Sequence, residues 1–214
     1  MTFLHNNSKI NEHDEFVFEN SKEQELIELL MITTKYCYFK WLKYRSIGSV
    51  KDTIFKVVRD ISQLYDYKKA YYDDIKEETI RDELRKDNLG KGQKGICLLN
   101  AVLFETRGRK IPEGFNIEHI LPKKWEQYKY FDGWTEGRYI GNHERLGNLL
   151  VLEAKKNIKI GNKPFSDKKL EYLKSDIAET RDVANRYQDW SYNDFERRNK
   201  EVLDRLETWF KSKN

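Results

Sequence analysis

A chain of 214 residues with 38% hydrophobic and 36% charged side chains is long enough for one or two domains with real cores. Its 13 Tyr, 11 Phe and 5 Trp exclude a disordered polyelectrolyte. The 40 basic and 36 acidic residues leave a net charge of only +4, so a nucleic-acid partner would have to be met by a local cluster of positive charge. Cys37 and Cys97 stand far apart with no C-x-x-C pair, which excludes a cysteine-built zinc site and argues against a disulfide scaffold.

In chain order, residues 1–20 are polar, lack the pattern of a signal peptide and read as an arm. Ser21 is a plausible N-cap for a helix running to about Tyr44, with Leu26, Leu29, Leu30, Thr33 and Cys37 at helical spacing and Gly48 in the break. Ser49 to Tyr67 reads as a second amphipathic helix, Glu77 to Lys86 as a third and Gly95 to Thr106 as a fourth. Ile117–Leu121 and Asn148–Leu152 are short apolar runs that suit strands, joined by a long connection rich in Trp, Tyr, Gly and charge. Ser166 to about Asn185 and Tyr192 to Lys211 return to helix, the latter with Phe195, Val202, Leu206 and Phe210 on one face. No apolar run approaches a membrane span, so a soluble, cytoplasmic protein is expected. The expected fold class is α+β: an arm (1–20), a helical subdomain (21–110), and a core of two short antiparallel strands and a helix with C-terminal helices (111–214).

The chemistry concentrates in the two short runs. Glu118-His119 is followed by Pro122, which stops the run; Asn148 opens the second run and Asn157 lies nine positions on. A carboxylate and an amide carbonyl suit a hard cation, and a neutral imidazole beside it can take a proton from water. Neighbours in a strand point to opposite faces, so Glu118 and His119 serve one site only if the strand is short, bent, or followed by a loop that wraps the cation. Taken alone, a Glu-His pair is more often a structural ion pair.

Lys123, Lys124, Arg138, Arg145, Lys155, Lys156, Lys159 and Lys163 crowd these runs and would attract a phosphate backbone; in so charged a chain a solvated surface is the plain alternative. Trp125 and Trp134 are expected to pack rather than stack on bases. His143, close in sequence to the second run, could reach a metal or a phosphate, though a solvated loop histidine is the plainer reading; His5 and His13 carry no assignment. Gly90 to Gly95 matches G-x-G-x-x-G, but no apolar strand precedes it, so a flexible basic loop is expected.

Glu118-His119-Ile120-Leu121-Pro122, Leu146-Gly147-Asn148-Leu149-Leu150-Val151-Leu152, Asn157 and Gly161-Asn162-Lys163-Pro164-Phe165 together resemble the HNH, or ββα-metal, nuclease superfamily. The resemblance is closest to the C-terminal nuclease domain of GmrSD-type modification-dependent restriction enzymes and related phage-defence nucleases. It covers the second half of the chain well and the first half loosely.

It implies a DNA endonuclease or nickase with His119 as general base, Asn148 bracing the loop and the histidine ring, and Glu118 and Asn157 holding Mg²⁺, for which Mn²⁺ can substitute. It further implies that Lys123, Lys124, Arg145, Lys155, Lys156, Lys159 and Lys163 hold double-stranded DNA. An NTP-dependent sensor, N-terminal or on a separate chain, is the implied partner. Many members carry Asp at the acid position; Glu118 moves the carboxylate out by about one bond length. The alternative is a non-catalytic nucleic-acid- or protein-binding module on the same scaffold.

Overall fold

The computed structural model describes residues 8–18, 20–44, 46–62, 67–75, 77–86, 114–128 and 132–212. The chain divides into two compact units, Met1–Leu84 with Phe210–Asn214, and Arg85–Trp209. The expected helix at Gly95–Thr106, the glycine pattern at 90–95 and Cys97 lie outside the described residues.

In the first unit the expected arm contains a hairpin, Ser8–Ile10 (β1) paired antiparallel with Phe16–Phe18 (β2). Asn11 builds its turn: Oδ1 accepts from the amides of His13 and Glu15, both at 2.9 Å, while Asp14 takes a left-handed backbone with φ 59°. Helices follow at Asn20–Tyr44 (α1), Ile47–Ser62 (α2), Tyr67–Asp74 (α3) and Glu77–Arg85 (α4). The buried stripe of α1 runs through Leu29, Ile32, Tyr36, Phe39 and Leu42, and Leu30 is exposed. Its face is therefore turned from the aliphatic one expected, because the large rings of Tyr36 and Phe39 bury more apolar area than Leu26 and Leu30 would. Lys35 is buried with its ammonium on the carbonyl and hydroxyl of Ser212, and the Tyr71 hydroxyl donates to the Phe210 carbonyl.

In the second unit Phe115–His119 (β3) pairs antiparallel with Leu149–Glu153 (β4), with Ile117 opposite Val151 and His119 opposite Leu149. The connection between them holds a 3-10 turn at Trp125–Gln127, a helix Glu136–Asn142 (α5) and a second 3-10 turn at Leu146–Asn148. Thr135 caps α5, its hydroxyl accepting from the Arg138 amide. Then come Ala154–Ile160 (α6), Phe165–Leu173 (α7), Ala178–Arg186 (α8) and Tyr192–Lys211 (α9). A single helix was expected over Ser166–Asn185. It is broken because Ser175 turns its hydroxyl to the Glu153 carboxylate at 2.9 Å and accepts from the Ile177 amide at 3.1 Å. Leu149 to Leu152 are all buried, so β4 is covered on both faces and reads as an unbroken apolar run.

The Leu146-Gly147-Asn148 turn is seated on α9. Buried Arg198 donates from Nη1 to the carbonyls of Leu146 (3.1 Å), Gly147 (2.6 Å) and Leu149 (3.1 Å). Gly147 is required by close approach: a Cβ there would meet the Asn199 Cβ at 2.4 Å and its Cα at 2.6 Å. The fold is thus α+β, mostly helical, with two small antiparallel sheets among the described residues. Among the described residues no helix is long and apolar enough to cross a membrane.

Candidate functional site

The period of two along β3 decides which side chains meet. Glu118 shares a face with its register partner Leu150 and points into the core, where its carboxylate takes the Lys168 ammonium at 2.5 Å and the Tyr172 hydroxyl at 2.8 Å. His119 points the other way. The expected convergence of Glu118 with His119 is therefore not what the structure assembles, because β3 stays regular through His119 and the chain bends only afterwards.

On the His119 face stand two residues that sequence reasoning did not place in the site. His143 follows the last turn of α5, its amide donating to the Tyr139 carbonyl at 2.9 Å. Its ring stacks on that of His119, with centroids 4.2 Å apart and planes within 7°. Glu144 Oε1 lies 3.2 Å from His119 Nε2 and 3.3 Å from His143 Nδ1. The Nε2 atoms of both histidines are buried without an aligned hydrogen-bond partner among the described residues. His143, expected in solvent, is 6% exposed.

Burial holds His119 below the usual imidazole range, against the pull of Glu144. Burial, and then the charge of His119, pulls His143 down to about 4. Burial works to raise Glu144, but His119, His143 and Lys123 outweigh it and hold the carboxyl below its ordinary value. At neutral pH the site therefore presents two neutral imidazoles and one carboxylate. Their donor atoms all lie within 4.8 Å of one another, a set that can hold a divalent metal ion. Two nitrogens and one oxygen suit Mn²⁺ or Zn²⁺ better than Mg²⁺, which prefers oxygen throughout.

Asn148 is fully buried and braces the site from behind. Its Oδ1 accepts from the Leu121 amide (2.9 Å) and the Trp190 indole (3.1 Å), and its Nδ2 donates to the His143 carbonyl (3.0 Å). It touches the backbone of the histidine loop, not the His119 ring expected from the resemblance. Asn157 is half-buried and its Nδ2 donates to the Ile117 carbonyl at 3.2 Å, tying α6 to β3. Glu118 is not in the donor group.

Of the basic residues, Lys123 and Lys124 are exposed just past Pro122, and the charge of Lys123 acts on both His119 and Glu144. Lys155 and Lys163 are exposed, whereas Lys156 pairs with Glu153 (3.0 Å) and Lys159 with Glu171 (2.6 Å). Arg145 is half-buried in the turn, its carbonyl accepting from the Asn148 amide. Trp134 packs as expected, its indole donating to the Trp190 carbonyl, and Trp125 is half-buried with its ring stacked on Tyr139.

Comparison with curated proteins and with solved structures gave no match. A family model matches residues 53–205, which take in most of the chain and every residue of this site. The chain therefore belongs to the family of GmrSD restriction endonuclease C-terminal domains, the nuclease module of restriction enzymes that act on DNA.

Proposed function

We propose that this chain is a metal-dependent DNA endonuclease or nickase of the HNH type, serving a restriction or anti-phage system, with its reaction centre at His119, His143 and Glu144. The observation that carries the reading is the stacked histidine pair sharing one carboxylate, with both Nε2 atoms buried and without an aligned hydrogen-bond partner among the described residues. The carboxylate of the centre is Glu144 and not Glu118. A bound divalent ion supplies Lewis-acid stabilisation of the charge that develops on the scissile phosphate. His143 and Glu144 are the residues that would hold it. His119, kept neutral by burial and oriented by Glu144, takes the proton of the attacking water. The donor set supports Mn²⁺ over Mg²⁺. DNA selection belongs to a separate or N-terminal NTP-dependent sensor, as the resemblance implies.

A second reading rests on the spacing of the three donors: His119 would itself be a ligand, and an ion held by all three would supply the acidity that activates water without a protein base. Incubating purified protein with supercoiled plasmid in EDTA, Mg²⁺ and Mn²⁺ tests the proposal. Open-circular or linear product is expected only with metal and fastest with Mn²⁺; intact plasmid in every metal would defeat it.

DNA is held near the centre by Lys123 and Lys124. Each neutralised phosphate contributes roughly −0.9 to the slope of log affinity against log salt on duplex DNA. Replacing both lysines with Ala should make that slope shallower by about two units, with cleavage recovering at low salt. Duplex affinity measured at several salt concentrations checks this; an unchanged slope removes both from phosphate contact.

A further inference from the structure

Lys168 is a buried ionisable group for which the proposed chemistry has no use. It lies on α7 one turn before Tyr172, on the face that also buries Phe165. Its side chain is 1% exposed, and all three ammonium protons have acceptors: Glu118 Oε1 at 2.5 Å, the His119 carbonyl at 2.7 Å and the Ile120 carbonyl at 3.5 Å. A buried ammonium is costly unless paired and fully bonded, and Glu118, itself buried and bonded to Tyr172, supplies the counter-charge. Two consecutive carbonyls on one ammonium fix the backbone where β3 ends. The next two amides are fixed as well, Ile120 to the Asn148 carbonyl and Leu121 to the Asn148 side chain, both at 2.9 Å.

We propose that Lys168 is a positioning residue for His119, and that Glu118 acts as the counter-charge of Lys168 and not as a metal ligand. The inference rests on the reading of His119 as the centre of the site. Lys168 grips the main chain of His119 from the core side while the imidazole projects from the other face. The ring can then meet Glu144 and His143 only in the place this grip sets. Glu118 is adjacent to His119 in sequence because the counter-charge must enter the core from the same strand end.

The test uses the full chain with Lys168→Met and Glu118→Gln combined, which removes both charges together and leaves neither stranded, beside Glu118→Gln alone. Two readings do not depend on DNA cleavage. Mn²⁺ half-saturation, followed by the resonance signal of the free ion, should stay within about twofold of the parent in both variants. Hydrogen exchange at the Ile120 and Leu121 amides should quicken at least about tenfold in the double variant, while the amides of β4 keep their protection. With plasmid as substrate, kcat should fall about 10- to 100-fold with KM unchanged. Should the double variant not fold, Tyr172→Phe deletes one bond and keeps both charges; it should quicken Ile120 exchange several-fold at constant Mn²⁺ affinity. A tenfold loss of Mn²⁺ affinity on Glu118→Gln, or parent-like exchange at Ile120, overturns the proposal. Intact plasmid with the parent protein would instead defeat the nuclease reading and leave both of those measurements decisive for Lys168.

Discussion

His119→Ala is expected to reduce plasmid cleavage by about 10²- to 10⁴-fold, the range that proton transfer by one positioned side chain supplies. The imidazole is the one group of the site that points out from the strand end toward Glu144, and burial keeps it neutral and able to accept a proton. The substitution removes a half-buried ring stacked on His143 and leaves the backbone bonds of Ile120 and Leu121 in place. Folding and duplex affinity should therefore change little. Metal binding separates the two roles open to this residue. If His119 is the base, Mn²⁺ affinity stays within a few-fold of the parent; if it is the third ligand, affinity falls tenfold or more. Cleavage at the parent rate by a folded variant would remove His119 from the reaction.

The largest expected loss of stability belongs to Asn148→Ala. The side chain is fully buried and makes three bonds, to Leu121, Trp190 and His143. Alanine leaves two donors and one acceptor without partners in the core, and each stranded group costs about 1–3 kcal/mol. A total of about 3–9 kcal/mol is a large part of the 5–15 kcal/mol that typically holds a domain together. The melting midpoint of the second unit should drop by more than about 10 °C. The histidine loop should loosen first, because the His143 carbonyl loses the Asn148 amide while Arg198 still grips the turn from α9. A midpoint within about 3 °C of the parent by differential scanning calorimetry would mean that water replaces these bonds.

Much of the fold was legible because it rests on local patterns. The spacing of Phe195, Val202, Leu206 and Phe210 predicts one face of a helix from Tyr192 to Lys211, and all four are buried there. The two apolar runs at Ile117 and Leu149 do pair as strands. What sequence could not settle was set by tertiary contact. The stripe of α1 turns to bury Tyr36 and Phe39, a choice made by what packs against the helix. Arg198 gives no sign of burial in sequence, since its reason lies in three carbonyls about 50 residues earlier.

At the site, family resemblance brought Glu118 and His119 together as neighbours. The alternation of side chains along a strand, a rule available from the start, separates them. His143 and Glu144 looked like loop residues because they follow a short helix, α5, that has no buried residues of its own. Their one sequence signal is position: they precede Asn148 by five and four residues. A turn that lays Asn148 against Leu121 must bring them beside His119.

The central claim is that the metal centre is built from Glu144 on the outer face of β3. Mn²⁺ binding to Glu144→Ala, compared with the parent by the resonance signal of the free ion, tests it most directly. The account predicts saturable binding of one ion by the parent and a loss of affinity of at least about tenfold in the variant, whose fold is unchanged because Glu144 is only half-buried. Equal half-saturation in the two proteins would contradict it and move the ion away from His119, His143 and Glu144.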